Sequence, residues 1–187
     1  MSKIKENSGV LVQGHIKIHD PESGAVFVNK RNAIHYENMS IALAESVANQ
    51  GQGFISSMAF GNGGTSVDPT GIITYLTPNS TGTNASLYNQ TFTKIVDDRS
   101  VSNLDPQRNK IETRHVNGTN YTDVVVTCLL DYGEPNGQDA TDTASASDSL
   151  YVFDELGLVS YASSGTGKLL TQVIFHPVQK SLNRLIQ

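Results

Sequence analysis

Hydrophobic and polar residues alternate through the first part of the chain. Val10, Val12, Gly14, Ile16 and Ile18 fall on one side of an extended backbone, and Leu11, Gln13, His15, Lys17 and His19 on the other. A period of two over ten residues predicts a half-buried strand. Asp20-Pro21-Glu22-Ser23-Gly24 follows. Proline presets a turn and glycine accepts the left-handed position, so the chain reverses and Ala25–Asn29 returns as the second strand of a hairpin. At Asn38 the period changes. Met39, Ala42, Leu43 and Val47 recur at helical spacing, which predicts a helix over Asn38–Gln50 with Asn38 as N-cap and Gly51 as its stop. In this reading Leu43 and Val47 face the sheet.

Further on, short strands alternate with polar turns. Phe54–Phe60 reads as a strand broken by Gly61-Asn62-Gly63-Gly64. Asp68–Ala85, punctuated by Pro69, Gly71, Pro78 and Gly82, reads as loop. Leu87–Val96 is rich in β-branched and aromatic residues and reads as strand. Lys110–Val116 and Tyr121–Tyr132 flank Asn117-Gly118, a hairpin signal. Val124–Leu130 is apolar except for Thr127, which predicts a strand buried on both faces. Gly133–Ser149, rich in Asp, Ser, Ala and Thr, is expected to be an exposed, mobile loop. Leu150–Phe153 and Gly157–Ala162 are expected as short strands. Lys168–His176 alternates again and is expected to end at Pro177.

These elements sum to a mainly β fold, a β-sandwich or partly closed β-barrel with one packed α-helix. The domain plan is a polar arm (1–9), a single β-rich domain (10–180) and an apolar tail (181–187). Composition agrees with it. Only 37% of the 187 residues are hydrophobic and 17% charged, with Gly, Ser, Thr and Asn filling the difference. Low hydrophobicity without high net charge indicates many polar turns and not disorder. Thirteen basic against eighteen acidic residues leave a net charge of −5 with no basic run, which disfavours nucleic acid as a partner. No stretch has membrane-spanning length, and no apolar leader stands at Met1–Gly9, so no membrane partner is expected. Cys128 is the only cysteine, which excludes an intrachain disulfide.

Candidate chemistry is sparse. Gly61-Asn62-Gly63-Gly64-Thr65 lacks the lysine and the following helix of a phosphate loop. His15 and His19 lie on one face, but four strand positions separate their backbones by about 13 Å, too far to share one metal. His35, His115 and His176 are scattered, and no G-x-S-x-G elbow exists. Cys128 sits in an apolar run and reads as a small core residue. Asp139, Asp142 and Asp148 lack calcium-loop spacing. No catalytic residue, cofactor or metal is therefore assigned, and the chain is not expected to be an enzyme. Leu182, Leu185 and Ile186 make the tail unusually apolar, and they are the candidate partner contacts.

The order of short motifs carries a resemblance. A helix leads to Met58-Ala59-Phe60-Gly61-Asn62-Gly63-Gly64, then a polar, proline-containing loop, then Leu87-Tyr88-Asn89, and later Glu155-Leu156-Gly157-Leu158 before a turn near Gly165-Thr166-Gly167. This order resembles the N-terminal, particle-attaching domain of bacteriophage tail-collar fibre proteins. Those run from a helix to an M-x-x-G-x-G-G turn, an L-x-N-E segment and an E-I-G-L strand. Here Asn89 is followed by Gln90 in place of the acid. The resemblance implies an attachment module of a tailed-phage virion, assembled in the host cytoplasm. Its partners would be other virion structural proteins and further copies of itself. No long repetitive shaft is present, which suits an adaptor, collar or baseplate subunit, or alternatively a capsid decoration protein. A glycan hydrolase of the phage tail is the alternative from another class, and it would need two carboxylates facing across a cleft.

Overall fold

The computed structural model describes residues 9–82, 84–135, 150–165 and 167–187. The fold is mainly β with one helix. Its centre is a six-stranded open sheet built from β1 (Gly14–His19), β2 (Val26–Ile34), β3 (Ile55–Gly61), β6 (Gln90–Ile95), β9 (Leu150–Ser160) and β10 (Leu169–Ser181). The spatial order is β1-β2-β10-β9-β3-β6. Two ribbons flank it: β4 (Thr65–Val67) with β5 (Ile73–Tyr75), and β7 (Lys110–His115) with β8 (Thr122–Thr127).

The first hairpin forms as its alternation predicts. Asp20 Oδ1 accepts from the Glu22 and Ser23 amides at 2.8 and 3.2 Å, and Gly24 takes φ 74°. Residues 10–13, however, stay outside the ladder. Gly14 pairs with Asn32, and β2 ends two residues later, at Ile34, where the chain turns into the helix.

One face of the sheet carries the main core. Ile18, Val28, Met58, Phe60, Tyr151, Phe153, Val173 and Phe175 lie there beneath Cys128, Leu130 and Ile186, with Ile111 and Val126 of the β7–β8 ribbon packed on top. The aromatic rings meet mostly edge to face. Phe153 lies 5.5 Å from Phe60 and 5.7 Å from Phe175, in the T-shaped geometry that the ring quadrupole favours. The opposite face holds a smaller cluster of Ala59, Leu87 and Leu169.

Several expectations are corrected. The helix, α1, spans Tyr36–Val47 and is capped by His35, whose Nδ1 accepts the Asn38 amide at 3.2 Å. Asn38 is fully buried inside the helix, and its Nδ2 donates to the Leu169 carbonyl at 2.9 Å. That bond and the small Ala42 turn the buried face about one position from the expected stripe. Leu43 is 41% and Val47 87% exposed. Val124–Leu130 is not one strand buried on both faces. Val124 is 54% exposed because β8 belongs to a two-stranded ribbon with one face free, and only Cys128–Leu130 is buried. The two strands expected at Leu150–Phe153 and Gly157–Ala162 are one, β9, which runs through Asp154–Leu156 and ends at Ser160. Pro177 does not end β10, because the ladder slips between Ile174 and Val178 and the proline falls in that irregularity. Asp68–Ala85 contains β5 and otherwise follows the loop expectation. The mobile loop expected over Gly133–Ser149 lies, from residue 136 onward, outside the described residues.

Candidate functional site

The site is organised by two adjacent carboxylates in the middle of β9. Asp154 is 3% exposed and Glu155 is fully buried. An extended strand sends alternate side chains to opposite faces, yet Phe153 and Leu156 enter the same core. The strand therefore changes parity at Asp154–Glu155, and both carboxylates turn toward the chain that passes over the sheet.

Glu155 accepts four hydrogen bonds. Oε1 takes the amides of Asn89 (2.8 Å) and Gly63 (3.2 Å), and Oε2 takes the Tyr88 amide (3.0 Å) and the Gln172 side-chain amide (2.7 Å). Asp154 accepts the Gly64 and Thr65 amides, both at 2.9 Å, and the Thr65 hydroxyl. Gln172, itself fully buried, accepts the Asn79 amide at 2.5 Å through Oε1. A buried charge is tolerated only with such complete partnering. The glycines make room for it. A Cβ on Gly61 would lie 2.5 Å from both the Asn89 carbonyl and Glu155 Oε1, and one on Gly63 would lie 2.7 Å from the Asn89 amide. The Gly61–Gly64 turn is thus a carboxylate cradle made from backbone N–H groups, with protein side chains as the bound anions.

The cradle fixes the root of the β4–β5 ribbon, where the Leu76 amide donates to the Gly64 carbonyl at 2.9 Å. The ribbon presents Val67 (62% exposed), Ile72 (64%) and Tyr75 (50%) to solvent. Its own turn is tied by Asp68 Oδ1, which accepts the Thr70 and Ile72 amides; the Thr70 hydroxyl and these amides hold the Asp68 carboxyl below its usual range. Tyr75 OH lies 3.4 Å from His176 Nδ1, and a cleft of about 170 Å³ opens between Tyr75, Leu76, Lys30, Arg31 and Ile174.

The three tail residues do not act as a unit. Ile186 is 2% exposed and pairs with Leu130 in both directions, at 2.8 and 3.2 Å, within its own chain. Gln187 pairs likewise with His19 on the outer side of β1. Ile186 is therefore not a free partner contact, because the main core already buries it. Leu185 is half-buried, and Leu182 remains 42% exposed. The tail is anchored at its root by Lys180, 1% exposed, whose Nζ donates to the carbonyls of Asp131 and Ser181 at 2.9 Å. Burial pushes this ammonium below its ordinary pKa, against the pull of the Glu134 and Asp131 carboxylates.

The other candidates stay apart. His15 Nε2 meets Asn29 Oδ1 at 2.6 Å, His35 is the helix cap, and His115 bonds within its own hairpin. Among the described residues no three His, Cys, Asp or Glu side chains gather as a metal would need. Cys128 is buried, and its thiol is pushed up to about 12 by desolvation. Sequence reasoning missed Asp154, Gln172 and Lys180 altogether and quoted Glu155 only as a motif letter. The available signal was two acids in mid-strand among apolar residues, with an amide-rich glycine turn elsewhere to receive them.

Compared with models of known families, with curated proteins and with solved structures, the chain matches none of them.

Proposed function

We propose that this protein is a structural subunit of a tailed-bacteriophage particle, an attachment or adaptor protein that joins neighbouring virion proteins at the tail, collar or baseplate. One observation carries the reading. Three of the segments that give the sequence its resemblance to tail-collar fibre domains meet at Glu155: the Gly61–Gly64 turn, Tyr88-Asn89, and the Glu155-Leu156-Gly157-Leu158 strand. Motifs far apart in sequence that make one hydrogen-bonded unit are a structural signature, whereas a chance string of motifs has no reason to converge. The glycan-hydrolase alternative needs carboxylates open to a substrate. Asp154 and Glu155 are instead occupied by backbone and side-chain donors of their own chain.

The attachment surface is the β4–β5 ribbon. Its exposed Tyr75 at the root, Val67 further out and Ile72 at the turn give the ribbon apolar and aromatic surface on a rigid base, the kind of anchor that protein interfaces use. Mass spectrometry of gradient-purified particles, from a lysate of cells carrying this coding sequence, tests the assignment. The protein is expected in the particle fraction at a fixed ratio to other virion proteins. Ile72→Asp combined with Tyr75→Asp is expected to remove it from particles without changing its melting temperature. Absence of the wild-type protein from the particles overturns the reading. So does unaltered incorporation of the double variant, as far as the ribbon is concerned.

A further inference from the structure

We propose that the open edge of β6 accepts the Val10–Gln13 segment of a second copy of this chain as an added β-strand. The donor is visible as a strand without a partner. Val10 and Leu11 are 84% and 77% exposed, although the alternation of Val10, Val12, Gly14, Ile16 and Ile18 is continuous. Val10 and Leu11 run past the end of β2, which leaves the sheet at Ile34 to enter the helix, so nothing within their own hairpin can pair with them, and Val12 and Gln13, opposite Ile34 and Ala33 by register, make no ladder pair there.

The acceptor is visible as an edge that is unprotected over Phe92–Ile95. β6 pairs with β3 alone, and among the described residues no other backbone group bonds to Gln90–Ile95. Sheet proteins ordinarily blunt such edges with proline, a bulge or an outward charge. β6 has no proline, its one irregularity lies at its start, where Thr91 is the extra residue between Gln90 and Phe92, so Phe92–Ile95 stays regular, and its one charge, Lys94, is spent on Glu134. The opposite edge, β1, carries Lys17 and is partly covered by Gln187. Over one face of the sheet, across β6, β3 and β9, lies an open depression of about 390 Å³, lined by Ser57, Thr93, Ile95, Val159 and Tyr161. Its β6 rim, Thr93 and Ile95, gives side chains on that face of an added strand a neighbour to pack against, which is how strand addition gains specificity beyond its backbone bonds.

Geometry requires the donor to come from another molecule. β1 and β6 are opposite edges of a six-stranded sheet, so five spacings place them about 24 Å apart. Val10 is tied to Gly14 by four residues, a reach of about 14 Å at full extension. The contact joins different surfaces on the two copies, so it propagates head to tail, closing as a ring or growing as a chain. It does not depend on the phage reading, and the two fail separately.

The test uses the full chain in solution. Sedimentation velocity over a concentration series is expected to show reversible assembly of the wild type. Val10→Asp with Leu11→Asp is expected to abolish the fast-sedimenting species and leave thermal melting unchanged, since both positions lie outside any ladder. Under mild oxidation, Leu11→Cys combined with Thr93→Cys is expected to give a disulfide-linked ladder beyond the dimer. A monomeric wild type at every concentration overturns the proposal, as does assembly that survives the aspartate pair. Covalent dimers from Leu11→Cys alone, with no ladder from the combined variant, overturn it in favour of β1 pairing with β1. Amide exchange showing every β6 N–H protected in the monomer also overturns it, because the edge would then be covered within the chain.

Discussion

Replacing Glu155 tests the carboxylate cradle directly. Glu155→Leu keeps a similar volume and removes the acceptor from four donors: the Gly63, Tyr88 and Asn89 amides and the Gln172 side chain. A buried donor left without a partner costs about 1–3 kcal/mol. The loss is offset in part, because the wild type desolvates a charge and the leucine does not. Relaxation of the exposed side of the 88–89 segment recovers more. A net cost on the order of 4 kcal/mol remains, against a typical total stability of about 5–15 kcal/mol. Glu155→Gln is milder. Its carbonyl can keep the Gly63 and Asn89 amides, but its NH₂ then faces two donors. If the Gln172 amide flips to meet it, the Asn79 amide loses its acceptor. About 1–3 kcal/mol is expected for that variant. Urea unfolding followed by far-ultraviolet circular dichroism reads both costs. Amide exchange should show the Gly63, Tyr88 and Asn89 protons protected in the wild type and freed in Glu155→Leu. A Glu155→Leu protein within about 1 kcal/mol of wild type, with those three amides still protected, would refute the cradle.

Other perturbations follow from the same packing. Ile186→Ala should cost about 2–5 kcal/mol, because the side chain is 2% exposed in the main core; chemical denaturation measures it, and a cost below that range would mean the tail is held by its backbone bonds alone. Ala42→Leu should destabilise by about 1–3 kcal/mol through overpacking against the sheet, while Leu43→Ala, at a half-open position, should cost less, so the order of the two melting temperatures checks the helix face. The Asp131 carboxyl is held below its usual range by the Tyr132 amide first and by Arg108 after it. Its contribution is therefore present above the unfolded-state pKa and lost as pH falls through the folded value, so the stability gap between wild type and Asp131→Asn should narrow in acid titration. Cys128, with its thiol at about 12, should resist alkylation at neutral pH until the protein unfolds, and mass spectrometry of iodoacetamide-treated native protein reads this.

Local signals in the sequence proved to be the legible ones. The first hairpin could be read because alternation, Pro21 and Gly24 agree on one reversal. The helix could be read as a helix, but its buried face could not. Leu43 and Val47 are the large apolar residues, and nothing local says that Asn38 will instead reach the Leu169 carbonyl, 131 positions away. The same distance hides the fate of Val124–Val126. An apolar run is buried on both faces only if layers pack on both, and here the ribbon has the core against one face and solvent on the other. β9 and β10 were cut short by residues that look like breakers, Asp154-Glu155 and Pro177. Both strands continue because each absorbs its breaker at a change of parity.

That pair of irregularities also explains why the site was the hardest part to read. Phe153 and Leu156 in β9, and Phe175 and Val178 in β10, are each an odd number of residues apart yet share one core. The two shifts lie at the same level of the sheet, since Ile174 pairs with Glu155 and Val178 with Phe153. A regular β9 would have sent one carboxylate into the aromatic core between Phe60 and Phe175, where no donor waits. The shift removes both from that face and aims them at the glycine turn. There Gly63, Gly64 and Thr65 offer three successive N–H groups that a regular strand would have spent on a neighbour. Two features that each look like a defect, acids in mid-strand and a turn rich in glycine, are thus solutions to each other. Neither can be interpreted until the fold has placed them side by side.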